Sequence, residues 1–487
     1  MTDIATTPET DSPVLGTTRL ETTREDWCAA VVARARRAYA RGDTKPLEWR
    51  ERQLRSLRRM VVDHADLLCE ALAVDLGKSR TESMITEIGF TVNEIDHTLK
   101  HLRSWLRPER VSVPVTLPFA KARVIREPLG VVMVIAPWNY PLQLALAPLA
   151  GAIAGGNAVV VKPSEVSRAS SHALSQLLPA YLDQDAVQVV EGGVPETTAL
   201  LAQRFDHIFY TGNGSVGRIV LEAAAKHLTP VTLELGGKSP TYVDDTADLD
   251  VAARRIVWGK FTNAGQTCVA PDYVLATREV IDGLKPLLQK AIGDFFGDDP
   301  ASSPDYGRII DDRHFDRLSS LIDPQRVVVG GASDAPTRYI EPTVLDGITG
   351  DHPVMQDEIF GPVLPLVEVA GIDAAIDFIN ERDQPLALYL FTADAATRRR
   401  FERETSSGGL GVNIPLAHLT VPDLPFGGVG PSGMGSYHGK ASIETFTHAK
   451  GVLTHPTRPD STAMIYPPFA GVKRRLVEMV MTPRRHR

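Results

Sequence analysis

The sequence predicts an α/β protein built from two open, mostly parallel sheets, each at the centre of its own lobe. The chain has 487 residues, which is more than a single hydrophobic core usually supports. Short runs rich in β-branched residues alternate with helix-length segments, a pattern typical of parallel βαβ units. The alternation starts again after Gly237, so a second lobe of the same class is expected.

The N-terminal part of the chain is predicted to be helical, and an extended segment follows it. From about Glu25 to Arg107, charged and apolar residues recur at helical spacing. The segment Val111–Arg126 is predicted to be extended. Pro114 and Pro118 favour edge or crossover strands in this segment, because proline cannot donate a ladder hydrogen bond.

Buried strands of the first lobe are predicted from short apolar runs. In an open parallel sheet, glycine-containing turns after such strands mark the edge where ligands bind. The predicted strands are Val131–Ala136, Ala158–Lys162, Ala186–Val190, His207–Tyr210 and Val231–Leu235.

The second lobe is predicted from the renewed alternation of strands and helices. The glycine-rich segment from Pro422 to His438 is expected to be a loop. The predicted strands are Tyr273–Ala276, Arg326–Val329 and Leu386–Phe391, and the predicted helices are Leu249–Phe261, Asp373–Glu381 and Asp394–Glu404.

Composition excludes several classes of function. Hydrophobic residues make up 43% and charged residues 23%, which indicates a globular protein. The formal charge of −8 gives no basic surplus that would indicate nucleic-acid binding. The three cysteines, Cys28, Cys69 and Cys268, are odd in number and widely spaced, which fits a reducing cytoplasm rather than a disulfide framework. No metal site is predicted.

The two ends of the chain carry no clear targeting signal. Residues 1–23 are rich in Thr, Pro, Asp and Glu and are predicted to be a disordered leader. No apolar run reaches the roughly 18 residues of a membrane-spanning helix. We therefore expect a cytoplasmic protein.

Two residues are candidates for covalent chemistry. Cys268 ends the sequence Asn-Ala-Gly-Gln-Thr-Cys, where a tight turn can present a nucleophilic thiol, although a cysteine there can also be simply buried. Glu234 is a carboxylate at the end of an apolar strand and is followed by two glycines. Its burial is costly unless it has a catalytic role or forms an ion pair with a nearby Lys.

Other candidates follow the first-lobe strands. Asn139 lies just after a strand, where its amide can donate to a developing oxyanion or serve as a turn or helix-cap residue. Lys162 ends the next strand. Ser164 can cap the helix after it, in which case Lys162 simply faces solvent.

Two further candidate segments adjoin predicted strands. The sequence Gly212-Asn213-Gly214-Ser215-Val216-Gly217 follows a strand and opens a helix, which suits a pyrophosphate but also an ordinary turn. The sequence Glu358-Ile359-Phe360-Gly361-Pro362 precedes a predicted strand, Val363–Val367, and a simple turn before that strand would account for it.

Taken together, these motifs resemble the aldehyde dehydrogenase superfamily over about Asp26 to Leu453. PWNYP, LELGGKSP, GQTCVAP and EIFGP occur in the order of the family, and Cys268 follows Glu234 by 34 residues. The sequences PFGGVG and SGMGSYHGK, which begin at Pro425 and Ser432, resemble the class 3 branch with its fatty, aromatic and coniferyl-type aldehyde enzymes.

The resemblance implies an aldehyde dehydrogenase-like α/β fold with a Rossmann-like cofactor lobe, a catalytic lobe and an extended oligomerisation segment. Its implied boundaries are 24–110 and 127–235 for the cofactor-binding domain, 236–416 for the catalytic domain, 111–126 and 417–456 for oligomerisation or bridging, and 457–487 for a basic tail.

The resemblance also implies the reaction, which is NAD(P)⁺-dependent oxidation of a medium- or long-chain aliphatic or aromatic aldehyde to the acid. Cys268 is the implied nucleophile, Asn139 the oxyanion donor and Glu234 the base for water. NAD⁺ is expected to be preferred, with measurable use of NADP⁺, because Glu165 would repel a ribose 2′-phosphate. A homodimer is implied. The implied cofactor-binding residues are Trp138, Lys162, Ser164, Glu165, Gly212, Asn213, Gly217, Leu235, Gly236, Glu358 and Phe360.

The sequence departs from many tetrameric relatives at two positions. Pro148 replaces a Lys nine residues after the implied catalytic Asn, so a proton relay through that Lys is not expected. Asn213 replaces a Ser in the glycine-rich loop, so a hydroxyl contact to phosphate is not expected there.

Three other classes of protein fit less well. A CoA-acylating dehydrogenase would not need Glu234, and a thiol esterase would have no use for the loop 212–217. A non-catalytic relative would be expected to lack Cys268 or Glu234.

In the tail, Lys473, Arg474 and Arg475 adjoin apolar residues. This pattern allows at most a weak, salt-sensitive contact with an anionic membrane, or a helix packed on a partner subunit, or a frayed terminus.

Overall fold

The computed structural model describes residues 23–114, 117 and 119–481. Two α/β lobes, a separate three-stranded sheet and a small two-stranded sheet make up this part of the chain, which confirms the predicted fold class. The strands are β1 Glu109–Val111, β2 Lys121–Pro128, β3 Val131–Ile135, β4 Ala158–Lys162, β5 Val187–Val189, β6 His207–Thr211, β7 Val231–Glu234, β8 Pro240–Val243, β9 Tyr273–Ala276, β10 Val327–Val329, β11 Ser333–Asp334, β12 Tyr339–Ile340, β13 Thr343–Ile348, β14 Val363–Glu368, β15 Ala387–Phe391, β16 Gly409–Val412, β17 Gly433–Met434 and β18 Thr447–Thr454.

Helices cover the sheets and fill the N-terminal segment as the helical pattern predicts. They are α1 Arg24–Arg41, α2 Leu47–Asp63, α3 Ala65–Leu76, α4 Arg80–Ser83, α5 Gly89–Trp105, α6 Gln143–Gly155, α7 Arg168–Tyr181, α8 Val194–Leu201, α9 Gly214–Ala225, α10 Leu249–Phe261, α11 Arg278–Phe296, α12 Asp312–Ser319, α13 Ile372–Asn380, α14 Ala395–Glu404, α15 Gly439–Thr445 and α16 Gly471–Met481. A π-helical turn, Met84–Ile88, joins α4 to α5.

The first lobe is built on a sheet with the strand order β17-β7-β6-β3-β4-β5. Strands β7 to β5 in this order run parallel, and β3, β4 and β6 are buried along their whole length. All five strands predicted for this lobe are confirmed to within one residue at each end. Apolar runs predict them well because a strand covered on both faces is apolar throughout.

Helix α6 is buried along its whole length in the first lobe. A Cβ atom at Gly155 would lie 2.7 Å from the carbonyl oxygen of Phe446, and one at Gly151 would lie 2.9 Å from the Ser442 Cβ. The small residues of α6 therefore allow α15, which follows the predicted loop 422–438, to pack directly against it.

The second lobe has a sheet with the strand order β10-β13-β14-β9-β8-β15-β16. Strands β13 to β16 are parallel and β10 pairs antiparallel at the edge. The strands and helices predicted here are confirmed to within one residue, but β8, β13 and β16 were not predicted. Pro240, the Asp346–Gly347 pair and the glycines at 409 and 411 interrupt the apolar pattern of those three strands.

The third sheet is antiparallel and consists of β1, β2 and β18. Strand β18 pairs with β2 over eight residues, from Thr447 opposite Pro128 to Thr454 opposite Lys121. The predicted extended segment is thus confirmed over β2, while Pro118 lies outside the described residues. Strands β1 and β18 form the two edges of this sheet.

The prediction of a loop from Pro422 to His438 was wrong at Gly433 and Met434. These two residues pair antiparallel with Glu234 and Leu233 at the edge of the first-lobe sheet. Gly433 has a φ of 145°, and a Cβ atom there would lie 2.2 Å from the Leu233 carbonyl oxygen. A glycine-rich sequence can therefore join a sheet where the backbones must approach very closely.

The predicted leader, residues 1–23, lies outside the described residues apart from Thr23, whose side chain caps α1. None of the eleven residues of α16 is buried in the monomer, and the arginines beyond it lie outside the described residues. Within the described part of the chain, no helix combines the length and the apolar character needed to cross a membrane.

Asn157 connects three elements of the first lobe. Its side chain is fully buried, and its Oδ1 accepts from the Gly130 N–H at 3.0 Å. Its Nδ2 donates to the carbonyl oxygens of Ala152 and Phe446, at 3.0 and 2.9 Å. One amide therefore satisfies polar groups before β3, near the end of α6 and just before β18.

We expect Asn157→Ala to lower the free energy of unfolding by about 3 kcal/mol, because it leaves several buried polar groups without partners. Denaturant unfolding measures this change. Asn380→Ala removes an exposed hydrogen bond to the Glu404 carbonyl and should cost less than about 0.5 kcal/mol. Equal losses in the two variants would contradict this role for Asn157.

Candidate active site

The loop that carries Cys268 is held in an unusual conformation. Asn263, Ala264 and Gly265 follow α10 with φ values of 54°, 50° and 74°. Left-handed conformations cost non-glycine residues roughly 1–2 kcal/mol each, so surrounding contacts must fix them. The side chain of Gln266 supplies such contacts by donating to the carbonyls of Asn263 and Arg308, both at 3.0 Å.

Cys268 is partly exposed and lines a cavity, so it is not a simply buried cysteine. Burial of its thiol raises its pKa, and the charges of Glu358 and Glu234 raise it further. The backbone N–H groups of Cys268 and Val269 act in the opposite direction. The resting group is a neutral thiol, which needs a proton acceptor or a change in nearby charge before it can attack.

Asn139 lies between the two lobes and is 2% exposed. Its Nδ2 donates to the Gln266 carbonyl at 3.1 Å, which leaves the second N–H of the amide for another acceptor. Helix α6 begins only at Gln143 and has no side-chain cap, so the interpretation of Asn139 as a helix cap was wrong. The contact with Gln266 places the amide beside the cysteine loop.

Glu234 ends β7 and is 2% exposed. Neither of its carboxylate oxygens has a hydrogen-bond partner among the described residues, so the interpretation as an ion pair with a nearby Lys was wrong. Burial alone raises the pKa of this carboxyl well above its usual value. A carboxyl with a raised pKa is suited to general acid–base catalysis near neutral pH.

A cavity of about 420 Å³ opens outward from Cys268. Tyr140 contributes to its wall, and the Tyr140 hydroxyl lies 2.6 Å from the Thr267 Oγ1, next to the cysteine. Ile85 and Trp258 line it as well and are 66% and 40% exposed, which places apolar groups in contact with solvent. Most other lining side chains are apolar or aromatic, including Phe90, Leu144, Phe295, Phe296, Leu416 and Phe426.

A second cavity, of about 510 Å³, lies beyond the end of β7 and is lined by four of the eleven residues predicted to bind the dinucleotide. Asn213, Leu235, Gly236 and Glu358 line it. Asn213 caps α9, since its Oδ1 accepts from the Val216 N–H at 2.9 Å, and this leaves the N-terminus of the helix at the cavity. The loop thus places at the cavity a helix N-terminus, the kind of site that favours phosphate.

Two glycines of the predicted site allow close packing around this cavity. A Cβ at Gly217 would lie 2.9 Å from the Leu235 Cδ2, and one at Gly212 would lie 2.2 Å from the Tyr210 hydroxyl. Glu358 adds a buried Oε1 with no partner among the described residues. An orphaned carboxylate oxygen beside a helix N-terminus fits a ligand with ribose hydroxyls and phosphates.

At the end of β4, Lys162 is 2% exposed, so the interpretation of a solvent-facing side chain was wrong. Its ammonium donates to the Pro163 carbonyl at 2.7 Å and to Glu165 at 3.0 Å. Ser164 accepts from the Val166 N–H, but α7 begins only at 168, so Ser164 does not cap that helix. These residues form a charged, polar corner after β4.

The segment around Glu358 contacts both Trp138 and the cysteine loop. The Phe360 and Trp138 rings meet edge to face at 5.3 Å. A Cβ at Gly265 would lie 2.3 Å from the Gly361 carbonyl oxygen, so only glycine allows this contact of the two loops. The segment is thus part of the site and not only a turn before β14.

The charge of Glu358 is controlled by its surroundings. Burial raises its pKa to about 8, and the nearby Asp272 raises it as well, while the Gly237 N–H and the ammonium groups of Lys238 and Lys260 lower it. At neutral pH this carboxyl is therefore mostly protonated.

Within residues 23–114, 117 and 119–481, no group of three or more His, Cys, Asp or Glu side chains could hold a metal ion.

A family model described as the aldehyde dehydrogenase family matches residues 4–452. The chain belongs to this family. The mouse protein named "Aldehyde dehydrogenase, dimeric NADP-preferring" is 51% identical over 441 residues, covering 90% of this chain and 97% of that protein. The bovine "Aldehyde dehydrogenase family 3 member B1" is 50% identical over 457 residues, covering 94% and 98%. The resemblance to the class 3 branch is confirmed.

Solved aldehyde dehydrogenases have the same fold. The Staphylococcus aureus structure titled "Substrate bound state of Staphylococcus Aureus AldH" is 43% identical, with a TM-score of 0.91 over 93% of this chain and 99% of that one. An NAD-dependent aldehyde dehydrogenase from Sinorhizobium meliloti is 28% identical, with a TM-score of 0.81 over 89% and 88%.

Sequence reasoning missed polar residues that surround the active site of this aldehyde dehydrogenase. Lys78 and Glu87 are completely buried. Lys78 donates to the Asn139 carbonyl in the PWNYP segment, and Glu87 accepts from the Leu142 N–H just after that segment. The Glu82 carboxylate accepts from the Asn263 N–H at 2.9 Å. All three lie in helical or helix-linking segments far from the motifs in the sequence. Charged residues are ordinary in such segments, so no local signal identified them.

We expect Glu358→Gln to change the pH dependence of Cys268 alkylation in the cofactor-free enzyme. Below pH 7 Glu358 is protonated, so parent and variant should react with iodoacetamide at equal rates. Above pH 8 the negative charge of Glu358 disfavours the Cys268 thiolate in the parent only. The variant should therefore react faster, by up to about tenfold, which corresponds to a difference of about one unit in the pKa of Cys268.

The exposed Glu368 of the same lobe provides the control, and Glu368→Gln should follow the parent at every pH. Identical profiles for Glu358→Gln and the parent above pH 8 would show that Glu358 does not influence the thiol.

Proposed function

We propose that this chain oxidises medium- or long-chain aliphatic or aromatic aldehydes to carboxylic acids with NAD(P)⁺, through covalent intermediates on Cys268. The observation that carries the proposal is the position of the thiol. Cys268 lines an apolar cavity and lies within electrostatic range of two buried carboxyls, Glu234 and Glu358. This arrangement provides a nucleophile, a substrate pocket and a base in one place.

In the first step the partly exposed Cys268 thiol loses its proton to solvent, and the sulfur attacks the aldehyde carbon to give a thiohemiacetal oxyanion. The free N–H of the Asn139 amide and the Cys268 backbone N–H donate to this oxygen. One such donor is worth roughly 3–4 kcal/mol in the transition state. The contact from Asn139 to Gln266 supports this role, because it fixes the amide before the substrate arrives.

A bound NAD⁺ or NADP⁺ would supply the acceptor for the hydride of the thiohemiacetal carbon. Cys268 then holds a thioester. Glu234 takes a proton from water, the water oxygen attacks the thioester carbon, and the acid leaves as the thiol is restored. The raised pKa of Glu234 and its lack of a hydrogen-bond partner among the described residues support this role, since an ion-paired carboxylate would be a weaker base.

Three regions would hold the dinucleotide. The N-terminus of α9, with Gly212, Asn213 and Gly217, suits the pyrophosphate. Glu358 would accept from the nicotinamide ribose and Phe360 would pack near the ring. The residues after β4, which are Lys162, Ser164 and Glu165, would contact the adenosine ribose.

Assembly as a homodimer is also proposed. Among the described residues, no strand pairs with the outer edges of β1 and β18 in the third sheet, and such edges readily pair with another chain. The name of the mouse relative describes that protein as dimeric.

For α16, whose basic residues Lys473, Arg474 and Arg475 are accessible, we propose at most a weak, salt-sensitive contact with anionic membranes. A cytoplasmic location is proposed from three cysteines that are all free.

Replacing the nucleophile tests the core of the proposal. Cys268→Ala should abolish aldehyde-dependent reduction of NAD(P)⁺ while cofactor binding, followed by fluorescence titration, is kept. Cys69→Ala, in the buried face of α3, is the matched control and should retain activity. Turnover by Cys268→Ala would remove Cys268 from the mechanism.

Replacing the base separates the two halves of the reaction. Glu234→Gln should still reduce one equivalent of cofactor, because hydride transfer does not need the base, and should then stall as a thioester. Rapid-quench mass spectrometry would detect the acyl group on Cys268. Steady turnover at the rate of the parent would refute this role of Glu234.

Cofactor choice should depend on Glu165. We expect the parent to prefer NAD⁺ with measurable use of NADP⁺, and Glu165→Gln to lower KM for NADP⁺ several-fold while that for NAD⁺ changes little. The substitution removes a like charge near the 2′-phosphate and frees the Lys162 ammonium. Glu191→Gln, also exposed, is the control. A strong preference of the parent for NADP⁺ would show that Glu165 does not face the ribose.

A further inference from the structure

An ion pair buried beneath the proposed oxyanion site has no role in the mechanism described so far. Lys78 and Glu87 are both 0% exposed, and the Lys78 Nζ lies 2.5 Å from the Glu87 Oε1. Replacing such a pair by apolar residues often leaves stability unchanged or increases it. Its presence directly under the site therefore calls for an explanation other than stability.

The Lys78 ammonium contacts the Asn139 backbone. It donates to the Asn139 carbonyl at 3.0 Å and lies 3.9 Å from the centroid of the Tyr140 ring. The Asn263 Nδ2 of the other lobe donates to the same carbonyl at 2.8 Å. Two donors from opposite sides thus fix the peptide group from which the Asn139 amide projects.

Glu87 fixes the other end of the same turn. Its second oxygen accepts from the N–H groups of Leu142 and Gln143, at 2.8 and 3.1 Å, where α6 begins. These N–H groups have no intrahelical partner, and the helix N-terminus favours a negative charge. The ion pair therefore joins both ends of the strand-to-helix turn, 139–143, into one rigid unit.

A local irregularity of the backbone around Glu87 accounts for the direction of the Glu87 side chain. Glu87 lies in the π-helical turn Met84–Ile88, and such turns occur often at functional sites. In that turn Ile85 is 66% exposed, whereas Glu87 is completely buried. The turn thus presents an apolar side chain to the aldehyde cavity and a carboxylate to Lys78.

We propose that Lys78 and Glu87 are positioning residues that hold the Asn139 amide in the direction needed to stabilise the oxyanion. This inference rests on the proposed role of Asn139. Misplacing a catalytic group by about 1 Å can cost on the order of 10²-fold in rate. Neutralising the pair should therefore lower kcat on that order, with little change in cofactor affinity.

The test is a double-mutant cycle on the full-length enzyme. Lys78→Met combined with Glu87→Gln removes both charges together, so that neither is left buried alone. In the parent background kcat should fall on the order of 10²-fold. In an Asn139→Ala background the same two substitutions should change kcat by less than about twofold, because nothing remains to be positioned.

The control is another ion pair in the same lobe. Arg58→Met combined with Asp96→Asn removes a bidentate contact between α2 and α5, and should leave kcat unchanged in both backgrounds. The denaturant midpoint and the dissociation constant for NAD⁺ are measured for every variant. A merely structural role of Lys78 and Glu87 would lower the midpoint and reduce kcat equally with and without Asn139.

The outcomes distinguish this inference from the proposed function. If Asn139→Ala retains the kcat of the parent, the role of Asn139 fails and the inference fails with it. If Asn139→Ala lowers kcat, the role of Asn139 stands. The inference alone is then overturned if the substitutions at Lys78 and Glu87 lower kcat equally in both backgrounds, or in neither. Should the double substitution not fold, Glu87→Gln replaces it in the cycle, because it keeps an oxygen for the α6 N–H groups. The same loss of effect in the Asn139→Ala background is then required.

Discussion

The hydrogen bonds that converge on the Asn139 carbonyl hold the two lobes together at the point where chemistry is proposed. Lys78 reaches this oxygen from the first lobe and Asn263 reaches it from the second. The return contact runs from the Asn139 amide to the Gln266 carbonyl. Because all of these groups are buried, each depends on the others for a partner, and a shift of one lobe would leave several polar groups unsatisfied at once.

Close backbone contacts make this junction possible. The cysteine loop touches the segment after Glu358 because Gly265 has no side chain to meet the Gly361 carbonyl. At the edge of the first-lobe sheet, Gly433 likewise has no side chain to meet the Leu233 carbonyl. The proposed nucleophile, the proposed base and the proposed ribose contact therefore come from three separated segments that only small residues allow to meet.

The pKa values of the acidic groups at the site are determined by burial more than by ion pairing. Glu234 and Glu358 have raised pKa values mainly because they are removed from water, and both raise the pKa of Cys268. A neutral thiol is protected from adventitious oxidation but is slow to attack. Protonation of these two acidic neighbours therefore controls how readily the Cys268 thiol loses its proton.

The sequence by itself determined the fold class, the strands that are buried on both faces, and the segments around Cys268, Glu234 and Asn139. Continuous apolar runs and tight glycine turns are local signals, so they can be recognised without knowledge of contacts. Proline and glycine inside β8, β13 and β16 concealed those strands, because their burial comes from neighbouring strands and not from their own pattern. Only the tertiary structure decided that Lys162 is buried, that Glu234 has no ion-pair partner in the described part of the chain, and that Lys78 and Glu87 lie beneath Asn139. Those facts depend on which distant side chains share a dry interior, and hydrogen bonding between residues some sixty positions apart leaves no mark on either local sequence.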